Sequence, residues 1–218
     1  VSKHYGAIAF TEAVRDVQRD HGSHAFYDRK RVQGAAVPGI DALTDDEKEY
    51  LAERDSFYLA TVSETGWPYV QFRGGPTGFL RIVDDHTIGW ADFRGNLQYI
   101  STGNLAGDNR VALIAMDYLH QRRLKIYGHA RIVTAEQDPT LVGTFADPAY
   151  DAVVERAVLV AVEAFDWNCP QHITARFTLE ELETHLAPLR DELAALHAEN
   201  TQLRDKLDRC PPEGLPGG

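Results

Sequence analysis

From Asp55 to Trp90 the chain alternates four short β-prone runs with tight turns, and this succession restricts the fold more than any other stretch. Phe57–Val62 is rich in aromatic and β-branched residues, Glu64-Thr65-Gly66 turns the chain, and Tyr69–Arg73 returns as the second arm of a hairpin. After Gly74-Gly75-Pro76-Thr77-Gly78, the runs Phe79–Val83 and Thr87–Trp90 form a second pair about Asp84-Asp85. Antiparallel runs so closely connected point to a meander or barrel and away from a nucleotide-binding βαβ unit. Arg110–Asp117 and Leu124–Val133 read as two more strands around the polar tip Tyr118–Arg123. Asp147–Arg156 reads as a helix, Val158–Phe165 as a buried strand and Ile173–Phe177 as the last strand. The expectation is a mainly β, α+β domain of six to eight antiparallel strands with flanking helices.

Ahead of this domain, Phe10, Val14 and Val17 fall at helical spacing, which predicts a short amphipathic helix followed by a surface arm. His21-Gly22-Ser23-His24 marks a turn. With no third ligand nearby, it reads as a solvated loop rather than a metal site. Gly34–Ile40, containing Pro38-Gly39, is a connector, and Thr44-Asp45-Asp46-Glu47 is a capping box that opens a helix to about Arg54.

Charge and cysteine usage narrow the function classes. Against 33 acidic residues stand 22 basic ones, a formal charge of −11. The clusters Arg29-Lys30-Arg31 and Arg122-Arg123 are too small to offset that for nucleic acid. Cys169 and Cys210 lack metal or disulfide-framework spacing. Cys169 beside Pro170 and near His172 reads either as a reactive thiol or as a small packed hydrophobe, the second being preferred. No apolar run approaches the roughly 20 residues of a membrane span and no signal peptide is evident, so a cytoplasmic protein without a membrane partner is expected. Gly-x-Ser-x-Gly, His-Glu-x-x-His and Walker-type loops are missing, so hydrolase and phosphoryl-transfer chemistry lack support.

Two segments carry specific chemistry. Trp90–Asn104 places Arg94, Gly95, Asn96, Ser101, Gly103 and Asn104 directly after a strand-like run, a composition suited to an anion cradle at the start of a short helix. At the other end, Thr178-Leu179-Glu180-Glu181 is a capping box. Leucines then recur at 186, 193 and 207 with Asn200 in one seam position, and at 189, 196 and 203 in the other. This predicts a three-heptad coiled coil with one polar seam residue, favoured over an amphipathic helix packed on its own domain. Pro188 is expected to kink that helix or mark its start.

Taken together, several of these stretches resemble the pyridoxamine 5′-phosphate oxidase-like flavoproteins, the broad family of FMN-binding split β-barrels. They are the hairpin Phe57–Arg73, the loop Arg73-Gly74-Gly75-Pro76, Asp92-Phe93-Arg94-Gly95-Asn96, Ser101-Thr102-Gly103-Asn104-Leu105 and Asn168-Cys169-Pro170-Gln171-His172-Ile173. The resemblance spans about Leu43 to Phe177. It implies a homodimer with FMN sites at the subunit interface, each drawing on both chains. It also implies that Arg73 with Gly74, Arg94, Gly95 and Asn96 contact the phosphate, with Ser101 and Asn104 as second contributors. Trp90 and Asp92 are expected where the strand meets the ribityl chain or ring, and Gln121 and Arg122 at a tip reaching the same flavin or its neighbour. Trp167, Gln171 and His172 are expected to approach the isoalloxazine from the partner chain, His172 as a proton donor or a hydrogen-bond partner of the ring. No metal is expected. The Arg-rich substrate motif of true pyridoxamine phosphate oxidases, ending in Arg-Leu-x-Pro, survives only as the fragment Leu186-Ala187-Pro188, so vitamin B6 oxidation is not expected. The implied activity is an FMN-dependent oxidoreductase exchanging hydride with a small organic substrate, with NAD(P)H or oxygen as second redox partner. The alternatives are a non-catalytic flavin-binding or interaction protein, or a split barrel using deazaflavin or haem. The expected organisation is an N-terminal helix and arm (1–42), the FMN-binding split barrel (43–177), the coiled-coil helix (178–209) and a flexible tail (210–218).

Overall fold

The computed structural model describes residues 4–35 and 40–209; the Pro38-Gly39 connector and the tail at 210–218 lie outside the described residues. Two compact units are present, Val1–Thr174 and Ala175–Gly218.

The first unit opens with α1 (Tyr5–Ala9), α2 (Glu12–Asp20) and α3 (His24–Ala35), then α4 (Asp45–Ala52). The expected surface arm after His21 is therefore helical, α3 following the turn at Gly22, whose φ of 72° suits glycine. A capping box between Thr44 and Glu47 starts α4 as the sequence requires. Among the described residues seven strands follow: β1 (Ser56–Val62), β2 (Pro68–Gly74), β3 (Arg81–Asp84), β4 (Thr87–Phe93), β5 (Arg110–Asp117), β6 (Arg122–Thr134) and β7 (Val154–Trp167). Between them lie α5 (Ile100–Gly107) and α6 (Pro139–Thr144).

All pairings are antiparallel and the sheet order is β2-β1-β5-β6-β7-β4-β3. The two early hairpins thus sit at opposite edges, with β5-β6-β7 inserted between them, rather than side by side in a meander. A six-residue link from Gly74 to Arg81 joins these edges. Fully extended it reaches about 25 Å, whereas seven flat strands place their outer members roughly 29 Å apart. The link also turns at Gly78, whose φ is 82°. The sheet must therefore curl toward a barrel that remains split between β2 and β3. Its interior is filled by Leu51, Phe57, Leu59, Leu80, Ile88, Trp90, Leu124, Ile126 and Val160. On the outside, α6 covers a second cluster around Val142, Phe145, Ala157 and Leu159. Burial on both faces explains the continuous apolar run in β7.

Two segments depart from the sequence expectation. Asp147–Val153 is irregular and Arg156 lies in β7, because the backbone from Val154 onward pairs with β4 and β6. Ile173–Phe177 is not a strand; Ile173 instead closes a turn on the Pro170 carbonyl.

Gly128 marks a register shift between β6 and β7, and a Cβ there would come within 2.4 Å of the Ala161 carbonyl oxygen and 2.6 Å of Val160. Backbone cannot yield as a side chain does, so Gly128→Ala is expected to destabilise the fold by about 1 to 3 kcal/mol, read as a lower urea midpoint.

In the second unit α7 (Leu179–Arg209) begins with Thr178 and Glu181 capping each other, and it continues through Pro188. Among the described residues no helix is long and apolar enough to cross a membrane.

Candidate functional site

A cleft of about 180 Å³ opens where β2, β4, β7 and the start of α5 converge. Arg73 and Gln71 enter from β2, Asp92 from β4, Glu155 from β7, and Gly95–Thr102 form the remaining wall. The local sequence explains this convergence. Between Asp92 and Phe93 the pairing with β7 slips: Asp92 faces Arg156 whereas Phe93 faces Val154, so Glu155 is the extra residue of a bulge. Successive strand residues ordinarily point to opposite faces. The bulge re-aims one of them, so the carboxylate of Glu155 and the guanidinium of Arg156 meet.

A charge network results. Asp92, 6% exposed, accepts from Arg73 at 2.7 Å and lies 3.3 Å from Arg156. Burial pushes its carboxyl above the usual range, and the guanidiniums of Arg73 and Arg156 oppose that. Glu155 accepts from Arg94 at 2.9 Å and from the Tyr99 hydroxyl at 3.1 Å, and it contacts Arg156. The hydrogen bond from Arg94 is the main reason its carboxyl lies below the usual range. Arg156 also lies 4.8 Å over the Tyr99 ring. Three guanidiniums thus surround two carboxylates.

The floor of the cleft holds unsatisfied donors. Ser101 is 3% exposed, yet its hydroxyl has no hydrogen-bond partner, and neither does the buried Nε of Arg73. Ile100, Ser101 and Thr102 line the cleft as the first turn of α5, and Tyr99, the N-cap, provides no side-chain cap. Leu97 and Tyr99 take left-handed backbone conformations, φ 62° and 51°, which L-residues adopt at a cost. Strained backbone, orphaned buried donors and a helix start facing one cleft are together the features of an anion seat. Gly95 contributes no unusual conformation: its φ is not left-handed, and a Cβ would meet nothing within 4 Å.

The expected residues divide into groups. Arg73, Asp92, Gly95, Asn96 and Ser101 line the cleft. Gly74 ends β2 beside it. Arg94, its side chain 59% exposed, stands outside the lining and reaches it only through Glu155. Asn104 points away and donates to the Thr61 hydroxyl at 2.9 Å, fastening α5 to β1. Trp90 is 1% exposed and packs edge-on to Phe57 in the barrel interior, so it is a core residue. Gln121, Arg122, Trp167, Gln171 and His172 gather elsewhere. Gln121 donates to the Ile173 carbonyl, and Arg122 lies 4.5 Å over the Trp167 ring. Trp167 donates to Glu47, and Gln171 and His172 are exposed. Arg156 and Trp167 are eleven positions apart along β7, but the cross-strand register Arg73–Phe57–Ala115–Leu124–Trp167 puts four strand spacings, about 20 Å, between Arg73 of the cleft and Trp167 of the second group.

Gln71, Gln98, Tyr99, Thr102 and Glu155 line the cleft without having been singled out in the sequence, and Arg156 braces it. A Glu-Arg pair at the head of an otherwise apolar strand was the available signal for the last two. Among the described residues no three His, Cys, Asp or Glu side chains cluster as a metal site.

A family profile described as pyridoxamine 5′-phosphate oxidase matches residues 43–161, more than half of the chain. Among solved structures, HupZ from Group A Streptococcus is similar at 16% identity, covering 62% of this chain and 99% of that one with a TM-score of 0.44. General stress protein 26 from Bacillus anthracis strain Sterne is 14% identical over 56% of this chain and 91% of its own, TM-score 0.43. An FMN-binding protein from Syntrophomonas wolfei is 14% identical over 57% and 85%, TM-score 0.43. No curated protein sequence matches the chain.

Proposed function

The chain belongs to the pyridoxamine 5′-phosphate oxidase family, and from that premise we propose that it binds FMN with the phosphate seated between Arg73, Ser101 and the first turn of α5. The observation that carries this reading is the pair of unpartnered buried donors, Ser101 Oγ and Arg73 Nε, beside an uncapped helix start. A phosphate dianion accepts from all three and gains from the positive end of the helix. Asp92 acts through Arg73: it fixes one arm of the guanidinium and leaves Nε for the ligand. Asn104 holds α5 at its height over β1.

FMN, when bound, supplies hydride exchange at its N5. We read the protein as an oxidoreductase that uses this chemistry on a small organic molecule, with NAD(P)H or oxygen as the other redox partner. The cleft is smaller than the roughly 300 Å³ at which pockets begin to enclose a whole ligand, so it suits the phosphate end. The isoalloxazine then requires walls from a second copy, a homodimer in which Gln121, Arg122, Trp167, Gln171 and His172 of the other chain complete the site. The exposed His172 is the proposed proton donor there.

Arg94→Ala removes an exposed ion pair with Glu155 and is expected to cost FMN binding less than about 1 kcal/mol, measured by flavin fluorescence titration. The reading as a whole is tested by the absorbance of the purified protein and by anaerobic addition of NADH or NADPH. Bound flavin that bleaches with either donor, or that is reduced by substrate and reoxidised by oxygen, supports it. A protein that takes up no flavin overturns it, and flavin that undergoes neither reaction leaves a binding protein without the proposed activity.

A further inference from the structure

We propose that α7 pairs with α7 of a second copy of this chain as a parallel, in-register, two-stranded coiled coil. The helix presents a narrow stripe: Leu189, Leu193, Leu196, Leu203 and Leu207 are between 49% and 72% exposed, far more than side chains on a packed face. These residues recur every three and four positions. With Leu186, Leu193, Asn200 and Leu207 at one seam position and Leu189, Leu196 and Leu203 at the other, the period is seven, the repeat of a left-handed supercoil. A helix packed on a globular surface needs an apolar face at least 100° wide, which this stripe does not provide.

Asn200 and the flanking charges select the occupant. A lone Asn in the seam leaves its amide without a partner unless the facing helix offers an equivalent polar group at the same height, and an identical helix in register does so. The charges agree. In a parallel pair the residue preceding each first seam position faces the residue five places later on the other helix. Glu199 then meets Arg204 of the partner subunit, and Glu192 meets His197 of the partner subunit. An acid faces a basic residue at both of these positions, while at the helix start His185 meets Arg190 of the partner subunit, a pair without an acid.

The test is site-directed disulfide formation in the full-length chain with Cys169→Ser and Cys210→Ser as background. Leu193→Cys is expected to cross-link to itself at least about tenfold faster than Ala198→Cys, which lies on the outer face, because seam positions bring like residues together only in a parallel pair. A second background variant, Asn200→Leu, is expected to retain self-pairing but shift cross-linked Leu193→Cys toward species larger than dimers, read by light scattering. Equal cross-linking rates for Leu193→Cys and Ala198→Cys overturn the proposal. So does selective linkage of Leu193→Cys to Leu203→Cys in mixed samples, because an antiparallel pair sets one seam position against the other. Flavin uptake measured on the same samples keeps the outcomes separate, since loss of self-pairing with flavin retained defeats this inference alone.

Discussion

Replacing Arg73 with Ala is expected to weaken FMN binding by about 2 to 3 kcal/mol, roughly 30- to 150-fold, the scale of a charge-assisted hydrogen bond lost from a largely buried site. The arginine comes from the end of β2, where pairing of Phe57 with Arg73 fixes its height, and Asp92 anchors one arm of its fork at 2.7 Å. Removing it also leaves the buried Asp92 carboxylate with Arg156 as its remaining guanidinium neighbour. Arg73→Lys separates these effects: it keeps the charge but not the planar fork, and its affinity should fall between wild type and Ala. Titration of each variant with FMN provides the comparison. An unchanged affinity in Arg73→Ala would remove this residue from the phosphate seat.

Trp90→Ala is expected to destabilise the barrel by about 3 to 5 kcal/mol, the cost of deleting a large aromatic from a close-packed core. The ring sits among Phe57, Phe79 and Ile88 at 1% exposure, its centroid 4.9 Å from that of Phe57. Urea denaturation of the flavin-free protein measures this effect. Trp90→Phe keeps most of the volume, so it should retain FMN affinity with a smaller loss of stability. If Trp90→Phe instead loses flavin while keeping its denaturation midpoint, Trp90 belongs to the binding site and not to the core.

Such outcomes indicate which signals local sequence carries and which it does not. Strand identity was largely legible, because β1, β2, β5 and much of β6 alternate more and less buried residues with a period of two. Strand order was not, since the placement of β5-β6-β7 between two hairpins depends on long-range pairing that no turn encodes. The helix expected over Asp147–Arg156 failed for the same reason: tertiary pairing with β4 and β6 governs Val154 onward. In the cleft, residues with conspicuous chemistry were visible, among them Arg73, Asp92, Asn96 and Ser101. Glu155 was not, because it reaches the cleft only through a bulge one residue wide. Arg94 was visible through its conspicuous charge, and the structure pairs it with Glu155 at the edge of the cleft. The glycines likewise suggested backbone freedom that Gly95 does not use, while Leu97 and Tyr99 carry the left-handed turns.

The central claim is that the cleft between Arg73 and Ser101 recognises a phosphate. Parallel titrations of the flavin-free protein with FMN and with riboflavin, which share the ring and differ in the phosphate, test it most directly. FMN is expected to bind about 100-fold more tightly than riboflavin, in keeping with two or more charge-assisted contacts to the dianion. Equal affinity for the two flavins would contradict the claim.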